Sequence, residues 1–173
     1  MDYSGIAIIG KEFILQELTT LCYIKGHDGL LMLHRIKEKD DINEGKWIGI
    51  GGHVEEGESP QDCVIREAFE ESGLTLFNPT LRCFVTFQFE PEEGSDREPQ
   101  TTHMFVYTCD TFEGDPFPEC DEGVLAWVPE DRLEDLPMWE GDILFLKPLM
   151  MDAPFFSMKL TYHGDQLTAW ELY

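Results

Sequence analysis

This chain of 173 residues is poor in positive charge: twelve Lys and Arg stand against thirty-five Asp and Glu, a formal net charge of −23. Such a surface repels long anionic polymers, so RNA, DNA and anionic bilayers are disfavoured as partners, while a small nucleotide carried with its metal remains acceptable. The five cysteines, Cys22, Cys63, Cys83, Cys109 and Cys120, are odd in number and form no CxxC pair, which suggests neither a disulfide framework nor a zinc site. No long apolar run is present. The stretch Ile6 to Ile9 stops at Gly10-Lys11, too short for a signal peptide or membrane span, so a cytoplasmic location is expected. The five histidines lack metal-ligand spacing, and no Gly-x-Ser-x-Gly or cysteine-nucleophile context supports covalent catalysis. No internal repeat or interdomain linker interrupts the chain.

A 42% apolar content, with 12% aromatics, suits one globular domain over residues 1–173. Leu18 to Ile24 and Leu30 to Arg35 read as a hairpin about Gly26-His27-Asp28-Gly29, and Ile36 to Lys46 as a charged loop. Trp47 to Ile50 reads as a short strand leading into Gly51-Gly52, where missing side chains let the backbone approach a metal or phosphate. Leu81 to Glu90 and Thr101 to Thr111 read as strands flanking a polar loop, and Val124 to Val128 as another. Glu130 to Leu136 reads as a short acidic helix, Gly141 to Met151 as an apolar helix bent or ended near Pro148, and Phe155 to Tyr162 with Gln166 to Leu172 as a closing hairpin. Strands mixed with two substantial helices predict an α/β sandwich around a mixed sheet.

The strongest local signal spans residues 52–74. Ser59 is a good N-cap, Pro60 suits the first helical position and Gly73 the left-handed C′ position, so a helix is predicted from Pro60 to Ser72. Glu67, Glu70 and Glu71 then share one face at i, i+3 and i+4, while Val64 with Ala68 and Ile65 with Phe69 offer apolar pairs for packing. Three carboxylates that close repel one another unless a cation sits among them, and Mg²⁺, with Mn²⁺ as a substitute, is the natural guest. Such ions keep positions open for phosphate oxygens and a nucleophilic water, pointing to hydrolysis of a phosphate ester. On the helix alone the competing reading is a solvated acidic face with Arg66 and Glu70 as an i,i+4 pair.

The wider pattern decides between them. Gly52, Glu58, Arg66, Glu67, Ala68, Glu70, Glu71, Gly73 and Leu74 meet every fixed position of the Nudix signature, with Ala68 smaller than the usual aliphatic, and the chain resembles the Nudix hydrolases. The resemblance implies an α/β/α sandwich around a mixed sheet. It also implies Glu67, Glu70 and Glu71 as metal ligands with the Gly52 carbonyl, Arg66 as a brace, and Glu67 as the base acting on water. Glu58 is expected to pair with Arg66 or to order the loop. Glu122, from Glu119-Cys120-Asp121-Glu122, matches a further acidic ligand that the family supplies from a loop, beside the alternative of a solvated acid.

Trp139 and Asp142 open the late helix, where an indole can stack on a purine and a carboxyl can read a base edge; an interfacial Trp with an N-capping acid is the alternative. With Trp47 and the closing hairpin, they resemble the MutT-type branch that sanitises oxidised purine nucleoside triphosphates such as 8-oxo-dGTP. In that branch a Trp and paired aspartates read the base; Asp142 matches the second, and Gly141 stands at the first. Ile48 stands where relatives place an asparagine and offers apolar contact only. Thr20, Phe87 and Phe89 match pocket positions, and His53 stands where relatives often carry lysine and could touch a phosphate when protonated. Rival readings are another Nudix substrate, such as ADP-ribose, a dinucleoside polyphosphate or a nucleotide sugar, and a nucleotide-binding regulator without turnover.

Overall fold

The computed structural model describes residues 15–37, 39 and 41–173, so the Ile6 to Ile9 run lies outside the described residues. A large mixed sheet forms the frame. Its strands are β1 (Leu15–Gly26), β2 (Gly29–Arg35), β3 (Trp47–Ile48), β5 (Thr80–Glu90), β6 (Gln100–Cys109), β8 (Gly123–Val128), β9 (Phe156–His163) and β10 (Gln166–Leu172). The spatial order is β10-β9-β5-β6-β1-β2-β3, with β8 on β2. The β1–β6 and β5–β9 pairs are parallel and the other pairs antiparallel.

Helix α1 (Pro60–Ser72) covers one face and α2 (Glu140–Met150) the other. The alternation of β1 divides its side chains between them. Cys22 and Ile24 pack with Val64 and Ala68 of α1, while Leu21 and Tyr23 pack with Phe145, Leu146 and Leu149 of α2. The predicted α/β/α layering is therefore present.

The limits of α1 follow from its caps. The Ser59 hydroxyl accepts from Asp62 N–H, Pro60 occupies the first turn, and Gly73, at φ 76°, returns its N–H to Phe69 C=O. An N-cap of this kind contributes about 1 kcal/mol. Helix α2 falls within one residue of the expected Gly141 to Met151 and ends at Met150, two residues past Pro148. Proline there forfeits only one bond in the last turn, and the buried Phe145, Leu146 and Leu149 hold the helix to the sheet.

Other boundaries shift. The acidic segment after Pro129 is a 3-10 helix over Glu130–Asp135. Ile50 lies outside β3 yet exchanges backbone bonds with Cys22, at 2.6 and 3.0 Å. A two-stranded ladder of β4 (Thr75–Leu76) and β7 (Phe112–Glu113) was not predicted; runs so short carry no periodicity to read. No described helix is long and apolar enough to cross a membrane.

Candidate active site

The loop 49–58 runs between β1 and α1, held by Thr20 N–H to Gly52 C=O at 2.8 Å and Val54 N–H to Leu18 C=O at 2.9 Å. Gly51 and Gly52 are demanded by close approach. A Cβ at Gly51 would lie 2.1 Å from the Thr20 carbonyl oxygen, and one at Gly52 would lie 2.5 Å from the Glu67 carboxylate. The loop thus presses the acidic face of α1 against bare backbone.

Arg66 organises the acids. Its Nε and Nη2 donate to the two Glu58 oxygens at 2.9 and 3.0 Å, its Nη1 to Glu67 at 2.7 Å and to Glu70 at 3.0 Å, and its Nη2 also to His53 C=O at 3.1 Å. Glu58 is held down to about 2, chiefly by its bonds to Arg66. It also accepts from Glu55 N–H at 3.0 Å and so orders the loop as well as pairing with Arg66. Glu67 is pushed up by burial, against the pull of Arg66. Its side chain is 15% exposed and that of Glu70 59%, so the Glu67 carboxylate is the more sheltered of the two.

Glu71 lies deepest. Gly51 N–H donates to it at 3.1 Å, and burial, followed by a shared hydrogen bond and repulsion from Glu122, pushes it up to about 9. Glu122 is bonded to Arg35, whose Nε also donates to Asp41 at 2.6 Å. The acid loop before β8 therefore reaches α1, with Arg35 behind it. Sequence reasoning missed Arg35 and Asp41, because nothing local links positions on three separate segments.

The donor chemistry suits a hard divalent cation, since the groups are carboxylate and carbonyl oxygens, and Glu67 and Glu71 are raised first by burial and then by neighbouring carboxylates that a cation would offset. The Gly52 carbonyl accepts from Thr20 N–H and faces the Cys63 thiol at 3.8 Å. Among the described residues no three His, Cys, Asp or Glu side chains stand around one shared ion position. Arg66 holds Glu67 and Glu70 on its own nitrogen, while Glu71 turns toward Glu122.

The substrate candidates divide between the two faces. Phe87, Phe89, Trp139 and Asp142 gather on the α2 side. Trp139 is 6% exposed; its Nε1 donates to Asn43 Oδ1 at 2.8 Å, and Phe87 and Tyr162 meet it edge-on at 5.9 and 5.0 Å. Asp142 is buried and pushed up to about 7 by that burial, opposed by Lys46. At Gly141, N–H donates to the Tyr162 hydroxyl at 2.7 Å, and a Cβ would fall 2.6 Å from Leu160; the position has no room for an aspartate.

Thr20, Ile48 and His53 are elsewhere. The buried Thr20 hydroxyl bonds Cys63 Sγ at 3.3 Å, on the α1 side, and Ile48 packs against the same cluster. His53 is exposed, 3.1 Å from Glu17. The neighbouring Thr19 alternates to the other face and has a buried hydroxyl without a hydrogen-bond partner among the described residues.

An arginine-braced nest of acids on a glycine-lined loop, set on a sheet between two helices, is equipment for phosphoanhydrides, whose hydrolysis depends on placing charge around phosphoryl oxygens. The profile described as NUDIX domain matches residues 16–148. The chain belongs to the Nudix family and is a hydrolase of phosphoanhydride bonds with MutT-type structural neighbours.

It is 32% identical over 148 residues to the uncharacterized Nudix hydrolase YvcI of Bacillus subtilis, covering 86% of this chain and 87% of that protein. It is 33% identical over 130 residues to an oxidized purine nucleoside triphosphate hydrolase of Danio rerio, covering 75% and 78%. Among solved structures, a MutT protein from Bacillus halodurans superposes with a TM-score of 0.78 at 28% identity, covering 90% of this chain and 97% of that one.

Proposed function

We propose that this protein is a divalent-cation-dependent nucleoside triphosphate pyrophosphohydrolase that acts on oxidised purine nucleotides such as 8-oxo-dGTP, releasing the monophosphate and pyrophosphate. The observation that carries the reading is the buried Glu71 carboxyl, held between Gly51 N–H and Glu122, with Glu67 raised beside it. The likeness to the Danio rerio hydrolase supports the choice of substrate.

Glu67, Glu70, Glu71 and Glu122, with the Gly52 carbonyl, would hold Mg²⁺, or Mn²⁺ in its place. The bound ion supplies charge compensation for the polyphosphate. Glu67 takes a proton from the attacking water, a role suited to a carboxylate whose pKa burial has raised. The water oxygen bonds phosphorus, the α–β anhydride bond breaks, and pyrophosphate leaves. Arg66 keeps Glu67 and Glu70 oriented throughout. Trp139 and Asp142, with Phe87 beside them, receive the base.

The test is a panel of 8-oxo-dGTP, dGTP, dATP, ADP-ribose and a dinucleoside polyphosphate with the purified protein and magnesium, products being separated by chromatography. Selective release of 8-oxo-dGMP with pyrophosphate is expected, with Glu70→Gln abolishing turnover and leaving thermal unfolding little changed. Faster cleavage of ADP-ribose, or turnover indifferent to magnesium and manganese, would overturn the reading.

A further inference from the structure

The loop before β3 closes on the α2 side of the sheet through several independent contacts. Lys46 N–H donates to Asn43 C=O at 3.0 Å, making a turn, and Trp47 N–H donates to Pro137 C=O at 2.7 Å. Asn43 takes the indole N–H of Trp139, and Trp47 stacks on His34 with ring centroids 4.6 Å apart. The result places the Lys46 ammonium 4.2 Å from the centroid of the Trp139 ring. Phe87 and Tyr162 stand T-shaped to that ring, and Lys46 lies over it.

The same ammonium is close enough to Asp142 to oppose the effect of burial on that carboxyl. Asp142 in turn acts on the Tyr23 phenol, and the Tyr23 and Thr19 hydroxyls are buried without hydrogen-bond partners among the described residues. Thr19 and Tyr23 thus set hydroxyls on the α2 side that no described residue satisfies, on the same side as the buried Asp142, and buried polar groups of that kind are ordinarily paired. A base that stacks on Trp139 must share its face with Lys46, whose flexible stem lets the ammonium swing to the base edge.

Guanine-type bases present the O6 acceptor beside the N1–H and N2–H donors, and adenine presents the amine where guanine has the oxygen. We propose that Lys46 is a specificity-determining residue that donates to the O6 edge of a guanine-type base while Asp142 accepts from its N1–H and N2–H. The assignment rests on the nucleotide-hydrolase reading above and extends it to a preference for guanine over adenine. Lys46 contributes a donor that cannot pair with the adenine amine, so the preference is produced by mismatch as much as by attraction.

The experiment titrates GMP and AMP separately into the full chain, Lys46→Met and Lys46→Arg by calorimetry in magnesium buffer, and compares kcat/KM for dGTP and dATP. The wild type is expected to bind GMP roughly tenfold more tightly than AMP, the scale of one good polar base contact. Lys46→Met is expected to bring the ratio near one by weakening GMP, and Lys46→Arg, which keeps a cationic donor, to restore much of it. Circular dichroism checks that both variants fold. An unchanged ratio in Lys46→Met, or a wild type that binds GMP and AMP equally or not at all, overturns the assignment. If no triphosphate is hydrolysed but the GMP to AMP ratio falls as expected, the pyrophosphohydrolase reading fails and the role of Lys46 stands. Hydrolysis with an unaltered ratio does the reverse.

Discussion

Arg66 grips Glu58 in a two-pronged fork, Nε to Oε1 at 2.9 Å and Nη2 to Oε2 at 3.0 Å, and the same guanidinium still reaches Glu67 and Glu70. One planar cation thereby sets the spacing of three acids. Lysine carries the charge without the fork. Arg66→Lys is expected to lower turnover by about a hundredfold and the melting temperature by a few degrees, as measured by steady-state kinetics and thermal unfolding. Glu58→Gln should share the loss of stability and keep more of the turnover. Equal, small effects in both variants would count against Arg66 as the organiser.

Gly51 and Gly52 adjoin in sequence and fail differently when given a side chain. In Gly51→Ala the new Cβ meets the Thr20 carbonyl, which belongs to a central strand and cannot retreat. A loss of about 3 kcal/mol or more is expected in denaturant unfolding. In Gly52→Ala the Cβ meets the end of the Glu67 side chain, which moves aside cheaply. Activity should then fall at least about a hundredfold while most stability survives, since Glu67 would be displaced from its working position.

Glu71, pushed up to about 9, makes cation binding compete with protons. Its raised pKa gives the metal-free fold stability that is present at low pH and lost as pH rises through 9. Magnesium in millimolar excess is therefore expected to raise the melting temperature more at about pH 8.5 than at about pH 6.5. A thermal-shift series in the two buffers decides; an equal rise in both would remove Glu71 from the cation site.

Burial pushes the Asp142 carboxyl up from an ordinary 3.8 to about 7. The folded state holds its proton more tightly than the unfolded chain, so the contribution to stability is full below about pH 4 and lost as pH climbs through 7. Asp142→Asn removes that slope. The variant should melt close to the wild type at about pH 4 and roughly 5 °C higher at about pH 8. Parallel pH profiles would show that the carboxyl is not held neutral.

The helix of the signature was legible to its ends because Ser59, Pro60 and Gly73 act within a few residues of what they cap. The sheet strands were legible within one to three residues wherever alternation was long enough. What escaped was long-range. Arg35, Asp41 and Glu122 meet from separate segments, and the Asn43 and Lys46 side chains reach Trp139 across the fold. A charged stretch reads as loop, and its composition does not say which ring it will cover.

Thr20 and Ile48 illustrate a second limit. Alternation on a strand tells which residues share a face, but the choice of face depends on which helix lands there. Thr20 bonds Cys63 and Ile48 packs with the α1 cluster, while Thr19 and Trp47 turn toward α2.

The parallel pairing of β1 with β6 sets an order on biosynthesis. As the chain leaves the ribosome, β1 can join β2 at once through the short turn after Gly26, but its other edge has no partner until residues 100–109 have emerged. β5 likewise waits for β9. Such late closure slows folding and leaves strand edges open to other nascent chains. The excess of acidic over basic residues, already present in the first part of the chain, favours separation of neighbouring copies during that interval, which makes the acidity useful before any nucleotide arrives.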